Sequence, residues 1–453
     1  MTRGLTQKDR RVLREHHCGF AGFFRTTDHF FPHLSEQFNR MNDPRHQSYI
    51  TYPQAVLIHE LIMMHNTGIK TMRGMTRQFN TSQFIRNLGT ISNSEDLKEK
   101  PDWQTINNYL EKLETENLDA VRFDMIRKLI GTKQFINYTI DGSYCIVIDG
   151  TDIAYFRKPH CEHDLVRKIE NKETGETTYQ YFHKALEAKI LLGPGLVLSI
   201  ATEFIENEDA DVTKQDCELN AGFRLLDKIK KAFPRLDITI TGDALYCTMP
   251  FMKAVKEKHW HYIFRIKEGR QEKMMEDFED LIGQLKEDDI VRDMYEGEEG
   301  YGLFVNHVEQ VTNKTEVCNL YRYYDKIEQK RFEWATDIEL TKKNLPAMIR
   351  AGRDRWKIEN SGFNFQKNGI YALEHHCSTD WNAMKNHYII LQIAHILLQL
   401  YMAYDHIVHR LKEGIKNTAA ELLSSITGGI LSEKEKQFVA ERTSLHLCCL
   451  LSE

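Results

Sequence analysis

The alternation of apolar and polar positions divides the chain into three stretches. Through residue 140 the apolar positions recur at helical spacing. Pro53 opens QAVLIHELIMMHN and Gly68 ends it, as a helix start and stop require. KTMRGMTRQF and SQFIRNL follow as short helices, the first carrying Arg73 and Arg77. A polar connector, SNSEDLKEKPD, leads to a helix pair around Thr105–Leu113 and Leu118–Leu129. Three short helices with tight turns and arginines suit a helix-turn-helix reader of DNA. They suit a plain helical bundle, the commoner object, equally well.

From residue 141 the pattern becomes that of strands. SYCIVIDGTDIAYF (143–156) is rich in β-branched and aromatic residues, and ALEAKILL and GLVLSIATEFI supply two further strands. A helix near Cys217–Phe233 presents Leu219, Phe223, Leu226 and Ile229 on one face. DITITGDALY (237–246) is a fourth strand ending at Asp243, a helix spans Met249–Lys258, and WHYIFRIK is a fifth strand. The order β-β-β-α-β-α-β predicts an α+β fold, a ribonuclease-H-like mixed sheet flanked by helices, although other α+β domains share it. Beyond Lys267 an acidic helix and the short strands LFVNHVEQV, EVCNLYRYY and KRFEWATDI read as a β-rich insertion. RDRWKIENSGFNFQK (353–367) then reads as a helix with Arg355 and Glu359 one turn apart on one face. A long apolar helix from Ala383 to Leu411 packs on the sheet, and the remainder is helical. The expected division is a helical N-terminal region (1–140), the first part of the core (141–267), the insertion (268–342) and the rest of the core (343–453).

Composition narrows this picture. At 453 residues, 41% apolar and 28% charged, the chain has the make-up of a soluble globular protein of two or three domains. A net charge of −6 excludes a polycation built to coat nucleic acid. The charge is unevenly spread, however. Residues 272–299 hold twelve acids against three bases, whereas Lys342, Lys343, Arg350, Arg353, Arg355, Lys357 and Lys367 make the stretch around Glu359 basic. A polyanion can therefore dock locally. Nine cysteines without CxxC spacing, behind a charged N-terminus with no apolar run, point to free thiols and a cytoplasmic location. The apolar segment His387–Tyr404 carries Gln392, His395 and Gln399 as one polar stripe, which suits a helix buried in a core rather than one in a membrane. His160-Cys161-Glu162-His163 and His375-His376-Cys377 do not match paired zinc-ligand spacings, and neither is expected to hold metal. Cys448-Cys449 reads as packing.

Three acids remain. Asp149 follows the apolar run CIVI and Asp243 follows ITIT, on strands that are neighbours in a sheet of this order. Two carboxylates side by side repel, and a cation resolves the conflict. Hard oxygen ligands suit Mg²⁺ or Mn²⁺, and a pair of such ions is the means by which many enzymes cut phosphodiesters. Taken singly, Asp149 reads as a turn residue, Asp243 as a helix cap and Glu359 as the ion-pair partner of Arg355.

IVIDGT, ITGDALY and RDRWKIENSGF together resemble the three blocks of the DDE transposases of bacterial insertion sequences, in the branch typified by insertion sequence four. That branch sets its third acid in a signature of Tyr, two residues, Arg, three residues, Glu, six residues, Lys. Arg355 and Glu359 match it. Gly352 stands where the tyrosine is expected and Gln366 where the lysine is expected, with Lys367 one residue on. The resemblance implies that Asp149, Asp243 and Glu359 form a catalytic triad binding two Mg²⁺ or Mn²⁺ ions. It further implies that Arg355, with Lys367 or Gln366, holds phosphates of double-stranded DNA, and that Trp334 in the insertion stabilises a flipped base. A homodimer synapsing two element ends is implied as well, cutting DNA and joining the 3′-hydroxyl to a target. A non-catalytic DNA-binding descendant and a metal-dependent nuclease without strand transfer are the competing readings.

Overall fold

The computed structural model describes residues 19–135, 138–171, 175–193, 195–209, 212–267, 269–286, 290–295, 298–309, 317–327, 329–403 and 414–440. Helices α1 (Phe20–Phe30), α2 (Leu34–Arg40), α3 (Gln54–Asn66), α4 (Met72–Gln78), α5 (Ser82–Ile91), α6 (Trp103–Leu110) and α7 (Thr115–Gly131) make up the N-terminal region. All thirteen residues of α3 are buried, whereas α4 exposes Arg73 and Arg77.

A short β1 (Thr139–Ile140) leads into β2 (Ser143–Phe156), the central strand. Successive side chains of a strand leave on opposite faces, and β2 is covered on both. Ile146 and Ile148 enter one core, while Cys145 and Val147 enter a second. On one side β2 pairs antiparallel with β4 (Thr177–Gly193); on the other it pairs parallel with β6 (Ile238–Gly242), which pairs parallel with β7 (His261–Arg265). The far edge of β4 carries β3 (Leu165–Glu170) and β5 (Leu196–Ile205) end to end. The lateral order β5-β4-β2-β6-β7, antiparallel then parallel, is the ribonuclease-H-like arrangement that the order of elements predicts. β3 and the polar start of β4 have no apolar period, which is why the pattern along the sequence does not reveal them.

Helix α8 (Glu218–Ala232) and α9 (Met249–Glu257) lie on the sheet. The buried stripe of α8 is Ala221, Gly222, Leu225, Leu226, Ile229 and Ala232, with Leu219 and Phe223 only half-buried at its margin. The helix turns its small residues inward because it lies close to its neighbours. A Cβ on Gly222 would come 2.9 Å from the Phe251 ring.

The β-rich insertion joins the same sheet. After α10 (Glu272–Ile282), strands β8 (Val291–Tyr295), β9 (Glu298–Glu309), β10 (Val317–Asp325) and β11 (Lys330–Thr336) follow as an antiparallel series. β11 pairs antiparallel with β7, Trp334 opposite Arg265, so the sheet runs unbroken through eleven strands.

The stretch predicted as one helix over 353–367 is broken. Helix α11 (Leu345–Asp354) ends before Arg355, a π-helix covers Ile358–Asn364, and α12 (Phe365–Asn368) completes the run. Helix α13 (Trp381–Met402) is buried almost throughout and touches α1, α3, α6, α7 and β5. Its polar stripe has partners. Gln366 bonds Gln392 and His395, and Gln399 covers the open edge of β5, accepting from Val197 N at 2.8 Å and donating to Val197 O at 3.0 Å. No helix among the described residues is long and apolar enough to cross a membrane. Helices α14 (Gly414–Gly428) and α15 (Glu433–Ala440) close the described chain, and Cys448-Cys449 lies outside it, as does the end of the long helix expected to reach Leu411.

A buried ionic network fastens α7 to the sheet. Arg122, fully buried, pairs with Asp119 and donates to Ser199 Oγ and Thr202 Oγ1, each at 2.7 Å. Glu187 of β4 lies 3.7 Å from Arg122 and accepts from Thr202 at 2.7 Å and from Tyr388 of α13 at 3.1 Å.

Candidate active site

The parallel pairing of β2 with β6 matches Val147 to Thr241, and continuing that register by two places sets Asp149 opposite Asp243. Asp149 interrupts an otherwise apolar strand interior. Asp243 turns the chain out of β6, its Oδ1 accepting from Leu245 N at 2.8 Å. Burial, against the pull of Arg355 and with Glu218 and Asp243 adding to it, pushes the Asp149 carboxyl up to about 6. The two aspartates thus interact at one rim of the sheet.

Arg355 stands between the first and third acids. Its Nη1 is 3.5 Å from Asp149 Oδ2 and its Nη2 is 3.9 Å from Glu359 Oε2. Glu359 lies in the first turn of the π-helix and is exposed, with 63% of its side chain open to solvent. Asp149, Asp243, Arg355 and Glu359 are therefore brought to one place, with the guanidinium linking the carboxylates.

Gln366 and Trp334 are placed elsewhere. Gln366 is fully buried, its amide 2.9 Å from both Gln392 Oε1 and His395 Nδ1. Trp334 is 2% exposed and stacks on Tyr321 with 5.0 Å between ring centroids, so no face of its indole is open to an incoming base. Its ring also accounts for Gly352. A Cβ on Gly352 would sit 2.5 Å from Trp334 Cε2, so the indole fills the space that any larger residue at 352 would need. Lys367 is half-buried, paired with Glu374 at 2.8 Å.

The sequence reading misses several side chains here. Glu218, in the first turn of α8, accepts from Lys184 Nζ at 2.6 Å and from the Tyr246 hydroxyl at 2.8 Å, and it faces Asp149. Gly150 permits that approach, because a Cβ there would lie 2.4 Å from Glu218 Oε2. The glycine in DGT and the tyrosine in GDALY are the only traces of this arrangement in the sequence. Lys189 of β4 is fully buried and reaches beneath the π-helix, its Nζ 5.2 Å from the Phe363 ring centroid, and burial pushes its amine down to about 8.

The donor set fits a hard divalent cation. The acids at this rim offer only carboxylate oxygens, and a cation between Asp149 and Asp243 would offset both the burial that raises the Asp149 carboxyl and the smaller repulsion from Glu218 and Asp243.

A family model described as a transposase DDE domain matches residues 141–397, more than half of the chain. No curated protein matches it. Among solved structures, a cryo-EM structure of the piggyBac transposase synaptic complex with hairpin DNA superposes with a TM-score of 0.41 at 13% identity, covering 93% of this chain and 82% of that one. The NurA nuclease from Sulfolobus solfataricus does so with a TM-score of 0.22 at 10% identity, covering 52% and 84%.

Proposed function

Because the chain belongs to the transposase DDE domain family, we propose that it cleaves DNA at the ends of an insertion sequence and transfers the 3′ end to a target, with Asp149, Asp243 and Glu359 as its catalytic acids. The observation that carries this reading is the pairing of β2 with β6, beyond which Asp149 and Asp243 interact at one rim, with Arg355 3.5 Å from Asp149 and 3.9 Å from Glu359. Asp149, Asp243 and Glu359 would hold Mg²⁺ or Mn²⁺. Two bound ions would activate a water or 3′-hydroxyl and stabilise the leaving oxygen of the phosphodiester.

The remaining residues position and neutralise. Arg355 supplies a planar cation at the rim, and an arriving phosphate would compete for it with the two carboxylates it now bridges. Lys367, on α12 beyond the π-helix, would add a second positive charge. Lys184 and Tyr246 anchor Glu218, so that its charge faces Asp149 from a fixed direction. Double-stranded DNA is the partner, engaged by a homodimer that holds two element ends.

Glu359→Gln is expected to lower cleavage by a factor on the order of 10⁴ while leaving end binding intact. Metal-dependent cutting retained by that variant would overturn the assignment. Gly352 and Gln366 each have a packing role, so neither departure from the family signature argues for lost catalysis. Specific end binding without cleavage in Mn²⁺ would favour a non-catalytic descendant. Cleavage without joined products on a supplied target plasmid would favour a nuclease.

A further inference from the structure

At the end of β2 remote from the acids, the chain turns through His160 and Cys161 and returns as β3, and four potential ligands converge there. Ligand atoms of His160, Cys161, Asp164 and His183 all lie within 4.8 Å of one another. Asp164 accepts the backbone N–H of His160 at 2.6 Å and of Cys161 at 3.2 Å through Oδ2, which leaves Oδ1 aimed at the cluster. Cys161 Sγ is 3.5 Å from Asp164 Oδ1 and 3.7 Å from His183 Nε2, and His183 Nε2 is 3.4 Å from Asp164 Oδ1.

These separations have the dimensions of a coordination shell. Bonds of about 2.3 Å to sulfur and about 2.0–2.1 Å to nitrogen or oxygen set tetrahedral edges of roughly 3.5–3.6 Å to sulfur and roughly 3.4 Å between nitrogen and oxygen. His183, on β4, is fully buried and stacked on Trp381 with 3.8 Å between ring centroids, which fixes its Nε2 toward Asp164 Oδ1 and Cys161 Sγ. His160 leaves a buried Nδ1 without a hydrogen-bond partner. Of the run His160-Cys161-Glu162-His163 only the first two face inward, while His163 turns away to the Asn207 carbonyl at 2.7 Å. The sequence spacing hides the site because the completing ligand, His183, comes from a different strand.

We propose that His160, Cys161, Asp164 and His183 form a structural site for a borderline-soft divalent cation, Zn²⁺ being the best match to a two-nitrogen, one-sulfur, one-oxygen set. Binding forms a metal–sulfur bond and releases the Cys161 thiol proton to solvent; the thiolate and the Asp164 carboxylate then balance the two positive charges. The ion would pin the β2–β3 loop to β4 beside the start of α13.

Cobalt substitution of the full-length protein tests this, because the all-oxygen rim of Asp149 and Asp243 cannot give a sulfur signal. One equivalent of Co²⁺ per chain is expected to produce a thiolate-to-metal charge-transfer band. Cys161→Ser should lose that band, and His163→Gln should keep it. A folded protein without the band, or a band that survives Cys161→Ser, would overturn the site and leave thiol hydrogen bonds in its place. Should Cys161→Ser fail to fold, zinc-edge absorption of the unaltered protein decides: one sulfur among four ligands supports the site and a shell without sulfur overturns it.

Discussion

Asp149 is held as an ion where a neutral group would be more comfortable, and the cost has a pH signature. Its carboxyl is raised to about 6, chiefly by burial. Between about pH 4 and pH 6 the native protein therefore keeps a proton that the unfolded chain has released, and stability falls as pH rises through that window. In metal-free protein, Asp149→Asn should raise stability by about 2–3 kcal/mol at pH 7 and hardly at all at pH 4, read from urea midpoints. Mn²⁺ should stabilise the parent and not the variant. The candidate pair Asp149 and Asp243 was legible in the sequence because each acid ends an apolar run, and such runs become neighbouring strands. Glu218 was not, since its contacts with Lys184 and Tyr246 depend on a helix crossing the sheet.

At the scale of elements, the π-helix over Ile358–Asn364 changes what the spacing of a motif means. A π turn takes one residue more than an α turn, so the eighth residue after Glu359 comes round to where the seventh would lie on a regular helix. Counting residues assigns Gln366 to the lysine of the signature; counting angle assigns Lys367. Gln366→Lys would bury an unpaired charge and should cost several kcal/mol in denaturant unfolding. Lys367→Ala should leave stability within about 0.5 kcal/mol and weaken DNA-end binding. The expectation of a single regular helix failed because periodicity over fifteen residues does not distinguish a π turn from an α turn. Gly352 belongs to the same scale. Gly352→Ala should cost about 1–3 kcal/mol by overpacking against Trp334, and combining it with Trp334→Ala should cost less than the two changes summed.

The whole molecule is built around α13. The helix and its packing on the sheet, at β5, were legible from its polar stripe within an apolar run, but its helical neighbours α1, α3, α6 and α7 were not, because no local pattern encodes contacts over hundreds of residues. The Arg122–Glu187 network lies in the same layer. Arg122→Met is expected to destabilise by about 3–5 kcal/mol in thermal unfolding, because Glu187 would keep a buried charge without its cation. The position of α13 after all the elements it covers also bears on how the protein is made. A ribosome adding about 5–20 residues per second needs tens of seconds to travel from the end of α7 to the end of α13. Through that interval the N-terminal helices, joined after residue 205 by β5, have been synthesised but lack the helix that covers them. Order therefore comes to this chain only once α13 has been made, and a message truncated before residue 381 would yield a product with its apolar surfaces uncovered.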